Sequence, residues 1–405
     1  MKHSKLWNRR RFLQTSAAAG FVLGTRLTPP RALGANDRIR IGIIGTGGRA
    51  RGLMNLLKSL PGNQMVAVCD VYEPRQLQAQ EIAGGAARHI EYRQILDNKE
   101  IDAVLIGTPD HWHKQMTLDA VAAGKDVYVE KPVSHSIEEG AEMVRVIESS
   151  KQLVQTGTQQ RSWEHWILGK QLVDLGKVGQ ITFIQTYWYQ HPRAGSYPDV
   201  DMSKLDWKRW LGPAPNQPYR PERFFQWRHF WDFGGGVLTD LLTHWIDVVQ
   251  WYMGTPAPLT AVTTAHNYSI KIWELPDTVT ATLEFPKDFM VTHTGTYVSR
   301  IDDGGLEFRG DKGTLKIDRD RLAFYNEDSR NLPGTPTPEP EILVKSVGDG
   351  TRTHLQNWLD CIRSRKSPSA NIRVAHGAAR TSHIANLAMK MNRRVRWNDS
   401  TQKVE

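Results

Sequence analysis

Lys131, Asp240 and His244 are the residues of this chain whose types and settings suit acid–base chemistry. Lys131 lies in the run Val129-Glu130-Lys131-Pro132, in which a strand ends. A lysine at the carboxyl end of a parallel strand faces the crevice where open α/β sheets bind ligands. Taken alone, that motif equally describes a surface lysine. The second segment runs from Gly234-Gly235-Gly236 through Asp240 and His244 to Asp247. Its apolar residues Leu238, Leu241, Leu242, Trp245, Val249 and Tyr252 recur at helical spacing. Asp240, His244 and Asp247 fall at i, i+4 and i+7, on one stripe of that helix. Three polar groups on an apolar helix need a reason. A metal pair is one, but no H-E-x-x-H pattern or cysteine accompanies it, so no metal is expected. A solvated stripe is another. Acid–base chemistry is the favoured reading, because histidine best takes and returns a proton near neutral pH.

A second constellation precedes these. The strand-like run Arg40–Ile44 leads into Gly45-Thr46-Gly47-Gly48-Arg49-Ala50, and a helical pattern follows. This is the context a dinucleotide fingerprint requires. Gly45 permits the tight turn, Gly47 lets the backbone approach a pyrophosphate, and Ala50 keeps helix and strand close. Gly52 extends the small-residue surface. The helix N-terminus supplies N–H donors and positive potential for phosphates. Asp70 ends the next strand, where a carboxylate accepts from ribose hydroxyls and repels a 2′-phosphate. NAD is therefore expected over NADP, with Arg75 facing outward from a helix that starts at Pro74. Thr108-Pro109-Asp110-His111-Trp112-His113 follows another strand end. His111 and His113 either face the crevice or pack against the next helix. The expected cofactor set is Gly45, Thr46, Gly47, Gly48, Arg49, Ala50, Asp70, Thr108, Pro109, His113, Glu130 and Lys131.

The elements that position these residues read in two blocks. From Asp37 to about Gln160, strands at Ile39–Ile44, Met65–Asp70, Ala103–Gly107, Asp126–Val129 and Leu153–Thr156 alternate with helical stretches. That alternation predicts a doubly wound parallel sheet. Afterwards come long β-patterned runs at Ile181–His191, Leu259–Asn267, Thr278–Phe285, Met290–Val298 and Gly305–Ile317. Short turns join several of them, so the second sheet is expected to be mainly antiparallel. Asn331–Pro340 reads as a loop, and helices near Thr353–Arg365 and Val374–Asn392 close the chain. The expected division is a leader over 1–35, an NAD-binding domain over 36–160, an α/β substrate domain over 161–397 and a tail over 398–405.

The leader has its own signature. Asn8-Arg9-Arg10-Arg11-Phe12-Leu13-Gln14 precedes a short apolar run, Ala17–Gly24, and the plausible cleavage region Ala32-Leu33-Gly34-Ala35. This is a twin-arginine export signal, too short to span a bilayer. It predicts a periplasmic or exported protein, tethered to the inner membrane if the signal stays uncleaved. Residues 1–35 hold seven of the 52 basic residues and none of the 43 acidic ones, so the chain beyond them carries only +2 of the +9. That balance speaks against a nucleic-acid partner. The two cysteines, Cys69 and Cys361, form no disulfide framework, and the first lies too far along for a lipid anchor on the leader. Twin-arginine export carries folded proteins, and free NAD is abundant only inside the cell. The pairing suggests a tightly held cofactor, recycled in place.

The chain resembles the Gfo/Idh/MocA oxidoreductase family, named for glucose–fructose oxidoreductase and inositol dehydrogenase. The likeness rests on the glycine turn, Thr108-Pro109, Glu130-Lys131-Pro132 and the Asp240…His244 pair. Trp207–Pro213 and Arg396-Trp397 resemble its exported bacterial members. It implies Lys131, Asp240 and His244 as a catalytic triad, a Rossmann domain followed by an open-sheet α/β domain, and a homo-oligomer. The glycine motif ends in alanine at 50 rather than glycine, which the pattern allows. Membership leaves the substrate open among sugars and polyols. In the implied chemistry His244 accepts a ring-hydroxyl proton as the carbon releases hydride, Lys131 steadies the developing alkoxide, and Asp240 orients substrate or lysine. Nine of the fourteen tryptophans fall between Trp163 and Trp251. Rings at Trp188, Trp227 and Trp231 suit a sugar face or simply fill the core. Arg161, Tyr187, His191 and Arg228 are weaker candidates for substrate hydroxyls. Two alternatives stand beside the sugar oxidoreductase: a glycosidase that transiently oxidises and eliminates with no net redox change, and a non-catalytic sugar-binding protein.

Overall fold

The computed structural model describes residues 38–191, 195, 197–327, 334, 336, 338–348 and 350–405. The leader, and half of the loop expected over Asn331–Pro340, lie outside the described residues. The first layer is a six-stranded parallel sheet in the order β3-β2-β1-β4-β5-β6. Its strands are β1 (Ile39–Ile44), β2 (Asn63–Cys69), β3 (Ala87–His89), β4 (Ala103–Ile106), β5 (Asp126–Val129) and β6 (Val154–Thr156). Near-continuous apolar runs form these strands because helices cover both faces. The order reverses beside β1, so the carboxyl ends of β1, β4 and β5 flank one crevice.

The second layer is a ten-stranded sheet in the order β14-β13-β12-β11-β7-β10-β9-β8-β15-β16. Its centre comprises β7 (Ile181–Tyr189), β8 (Thr260–His266), β9 (Thr278–Phe285) and β10 (Phe289–Thr296). The near edge holds β11 (Gly304–Gly310), β12 (Gly313–Asp318), β13 (Arg321–Asn326) and β14 (Ile342–Lys345). β15 (Val395–Asn398) and β16 (Lys403–Val404) complete the far edge. Only β7 and β10 pair in parallel; every other neighbour is antiparallel. Alternation buries one face of this sheet against the helix Thr243–Met253 and leaves threonines on the other.

Packing crosses the division expected at residue 160. The helix Gly350–Ser364 returns to the first layer, where Leu355, Trp358 and Leu359 join the core around β1. Trp358 meets Tyr128 edge to face, and Arg365 pairs with Asp126. The helix Ile372–Met391 serves both cores, with Ala375 and Ala379 on one side and Ala378, Ile384 and Ala385 on the other. Both cysteines are buried and unpaired, as expected.

Burial of histidine is heavy. Desolvation pushes His111, His229 and His293 down to about 3, and His354, His376 and His383 down to about 4. The unfolded chain takes up these protons near pH 6.5, whereas the fold refuses them until pH 3–4. Their contribution to stability is therefore complete above about pH 6.5 and is lost as pH falls below it. Each proton that the unfolded chain binds and the fold refuses pulls toward unfolding throughout that window. The urea midpoint is expected to fall steeply between pH 7.5 and pH 5; an unchanged midpoint across that range would reject the account.

Candidate active site

The crevice of the first sheet opens into a cleft of about 560 Å³ that runs from Asp70 to Lys131. The helix Gly48–Lys58 starts at Gly47 without a side-chain cap, leaving first-turn N–H groups for a ligand. Gly45 has φ +77°, and a Cβ there would stand 2.6 Å from the Thr108 side chain. A Cβ on Gly47 or Gly48 would meet nothing within 4 Å, so the space before the helix is open. Ala50 packs where a Cβ on Gly107 would come within 2.9 Å, which is the close strand–helix approach expected of it. Gly52 instead faces open space and adds nothing to that contact.

Asp70 holds the turn. Its Oδ2 accepts from Thr46 N at 2.7 Å and Thr46 Oγ1 at 3.0 Å; its Oδ1 accepts from Tyr72 N at 3.0 Å. An ionised carboxylate has about four acceptor sites, so one is left on Oδ1. Arg75 does not face outward. Its guanidinium lies 4.4 Å over the Phe224 ring and lines the cleft, because the second domain brings Phe224 across. His113 is also corrected: it is buried, and its two ring nitrogens lie 2.7 Å from Pro132 O and 3.0 Å from Thr108 O. It ties two loops of the cleft together rather than lining it. His111 packs under Trp210 and Phe233. Glu130 meets Arg49 at 2.8 Å, and both line the cleft with Thr108 and Pro109.

At the far end, Lys131 Nζ donates to Asp240 Oδ1 and to Asp240 O, each at 2.6 Å. Arg228 Nε donates to the same Oδ1 at 3.1 Å, and Tyr297 OH to Oδ2 at 2.8 Å. Burial alone would raise the Asp240 carboxyl, but Lys131 and Arg228 outweigh it and hold the group far below the usual range. His244 is 5% exposed, and its Nδ1 has no hydrogen-bond partner among the described residues. Burial, then Lys131 and Arg319, push its imidazole well below the ordinary value, so it is neutral near pH 7. Its ring lies against Trp188, with centroids 5.4 Å apart. The turn Leu238–Leu242 is π-helical. Such insertions alter the facing of side chains and are frequent at functional sites. Here the wider turn separates Asp240 from Asp247, which leaves the expected stripe.

Asp247 is fully buried and binds Arg161 instead, whose Nε lies 2.9 Å from both carboxylate oxygens. Arg161 is thereby a structural partner, not a group for substrate hydroxyls. Tyr187 and His191 do not join Lys131 either; they line a second, polar recess that includes Arg319. Arg228 does join the site, over Trp227 at 4.1 Å. Asp110, Tyr297 and Arg319 were not legible as site residues. Asp110 is buried beside Arg228 and Lys131, and desolvation raises its carboxyl well above the usual range. Only its place two residues after Thr108 in a strand-end loop could have flagged it.

The excursion 201–228 crosses the cleft. Asp206 N donates to Val71 O at 2.9 Å, and Arg209 Nε meets Glu91 Oε2 at 3.1 Å. Trp112 Nε1 donates to Trp210 O at 3.0 Å. Trp210 stacks on Trp207 at 4.6 Å and lines the cleft with Phe224 and Trp227.

Residues 39–158 match the oxidoreductase family's NAD-binding Rossmann fold, and residues 199–396 match its C-terminal α/β domain. The chain belongs to the Gfo/Idh/MocA oxidoreductase family. It is 25% identical to an uncharacterized oxidoreductase of Synechocystis sp., over 84% of this chain and 91% of that one. It is 32% identical over 127 residues to a glycosyl hydrolase family 109 protein of Solibacter usitatus, a match spanning 29% of each chain. The fold is shared with myo-inositol 2-dehydrogenase of Lactobacillus plantarum, at TM-score 0.67 and 21% identity, over 89% of this chain and 99% of that one. NAD, the cofactor of the family's first domain, fits this cleft. The uncapped helix and the open space at Gly47 and Gly48 suit a pyrophosphate, the spare acceptor of Asp70 suits a ribose, and Glu130 and Lys131 stand at the other end.

Gly212 fixes the crossing segment. Its φ of +53° is a left-handed conformation, and a Cβ there would lie 2.0 Å from the Trp112 ring. Gly212→Ala is expected to lift the segment and lower the fraction of NAD retained through gel filtration. Undiminished retention in a folded Gly212→Ala protein would show that the segment does not hold the cofactor.

Proposed function

We propose that this NAD-dependent oxidoreductase acts on a ring hydroxyl of a sugar or polyol and keeps its cofactor in place between turnovers. The observation that carries the reading is the Lys131–Asp240 pair beside a neutral His244, at the end of the NAD cleft. The polyol dehydrogenase sharing the fold and the sugar-directed relatives support the substrate class.

When bound, NAD supplies the hydride acceptor. Lys131 Nζ, held by Asp240, donates a hydrogen bond to the substrate hydroxyl oxygen and stabilises the alkoxide as it forms. His244 takes the hydroxyl proton on a ring nitrogen. Asp240 stays ionised throughout and keeps Lys131 aimed. Arg228 and Tyr297 hold Asp240, so they position the lysine without touching substrate. Lys131→Met is expected to lower kcat by about 10²–10³ and His244→Ala by about 10²–10⁴. Both variants should retain NAD and the circular-dichroism spectrum of the parent. Full activity in either would overturn the assignment.

A second reading is favoured by the family 109 match: the same residues cleaving a glycoside through transient oxidation and elimination, with the hydride returned. Sustained release from nitrophenyl glycosides without any redox partner would establish it. Silence across such a panel leaves the dehydrogenase.

We further propose that the chain is exported folded by the twin-arginine machinery and works outside the cytoplasm. The motif Arg9-Arg10 and its place in the sequence ahead of the Rossmann domain's first strand at Ile39 support this order, with NAD bound before crossing. Arg9→Lys together with Arg10→Lys should strand active protein in the cytoplasm. Normal export of that variant would exclude the route.

A further inference from the structure

Arg319 lies in the turn between β12 and β13, in the charged run Asp318-Arg319-Asp320-Arg321. Arg321 stays at the surface and meets Asp318 at 3.6 Å. Arg319 folds inward. Its guanidinium lies 4.4 Å over the Trp188 ring and 6.0 Å from Trp245. Among the described residues it makes no ion pair, and its Nε is sealed from water without a hydrogen-bond partner. Asp303 acts on it through space, not by contact. Cations withdrawn from water are ordinarily paired. A half-buried guanidinium whose sealed Nε has no acceptor is a place for an incoming one.

Its position says which acceptor. Trp188 also packs against His244, so Arg319 stands one indole away from the imidazole that takes the proton. The charges acting on His244 are the cations Lys131, Arg319 and Arg49, opposed by Asp240. Asp240 is already shared by Lys131 and Arg228, and Arg49 is engaged by Glu130. Arg319 is the one of these cations with no carboxylate in contact among the described residues; Asp303 and Asp320 act on it only through space. The recess it lines does hold carboxylates, but they are committed or turned outward. Glu307 meets Lys316 at 3.0 Å and also Arg309, Asp318 meets Arg321, and Asp302, Asp303 and Asp320 are exposed.

We propose that Arg319 binds the carboxylate of a sugar acid, a uronate or aldonate, whose hydroxyl is presented to His244; this rests on the oxidoreductase reading. The planar guanidinium grips a carboxylate through two parallel N–H donors. Trp188 gives the apolar floor that keeps the fork flat. The carboxylate is held and not transformed: no bond to it forms or breaks, and the proton still leaves the hydroxyl for His244.

The test uses matched pairs on the folded, NAD-bound protein: D-glucuronate against D-glucose, D-galacturonate against D-galactose, and D-gluconate against D-glucitol. Quenching of tryptophan fluorescence reports binding without turnover. At least one acid should bind about ten-fold tighter than its neutral counterpart. Arg319→Met should erase that difference while leaving the neutral member within about three-fold, and Arg319→Lys should restore part of it. If no acid outbinds its neutral partner in the parent protein, the proposal is wrong. Equal loss for both members in Arg319→Met would also reject it, as packing alone would do that. Arg319-dependent acid binding without hydride transfer would uphold the carboxylate site and overturn the oxidoreductase reading instead. Should Arg319→Met fail to fold, the parent comparison and Arg319→Lys still decide.

Discussion

One carboxylate organises this molecule. Asp240 is largely withdrawn from water, its side chain 16% exposed, and leaving it unpaired there would be costly. Three donors must therefore reach it, and each comes from a different part of the fold. Lys131 arrives from the end of β5 in the first sheet, Arg228 from the excursion over the cleft, and Tyr297 from the end of β10 in the second sheet. The seating of one sheet against the other and the assembly of the site are thus one constraint. Lys131 also binds the Asp240 carbonyl, so the π-helical turn offers the lysine two acceptors from a single residue. A lysine anchored twice keeps one of its three protons free for a substrate.

Much of the fold was legible because period and turn chemistry agree over the first half. The strands Ile39–Ile44 and Asp126–Val129 lie where the apolar runs place them, and the second sheet is mainly antiparallel, as the short turns indicate. What failed to show was long-range return. The amphipathic pattern of Gly350–Ser364 defines a helix but not which sheet it covers, so its return to the first sheet could not be read from the sequence. In the site, Lys131, Asp240 and His244 stood out because charged groups at strand ends or in apolar helices are rare. Arg161 misled because an arginine beside a ligand crevice looks the same whether it meets a sugar or Asp247, 86 residues away. Tyr297 and Arg319 sit in ordinary strand and turn patterns, and only their inward direction gives them a role. Ideal helical spacing concealed the π turn, since nothing in Leu238–Leu242 announces it.

The excursion 201–228 crosses the cleft. Here Arg209 reaches Glu91, Trp210 reaches Trp112, and Phe224 slides beneath Arg75. These contacts join surfaces distant in sequence, and opening them means breaking several at once. A closure of this kind would be a handicap for an enzyme that trades NADH with other enzymes. It is an advantage where no pool of NAD exists to trade with, which is the setting that the proposed export would create.

The electrostatics of His244 point the same way. A general base held below its ordinary pKa is a reluctant acceptor, and its proton leaves as readily as it arrives. Burial and the cations nearby impose that reluctance. Lys131 compensates by lowering the energy of the alkoxide, so the forward step need not rely on a strong base. A base that captured the proton firmly would drive oxidation and strand the reduced cofactor behind its own closure. A weak base next to a well-anchored lysine allows the reverse transfer, which the proposed recycling of NAD in place would require.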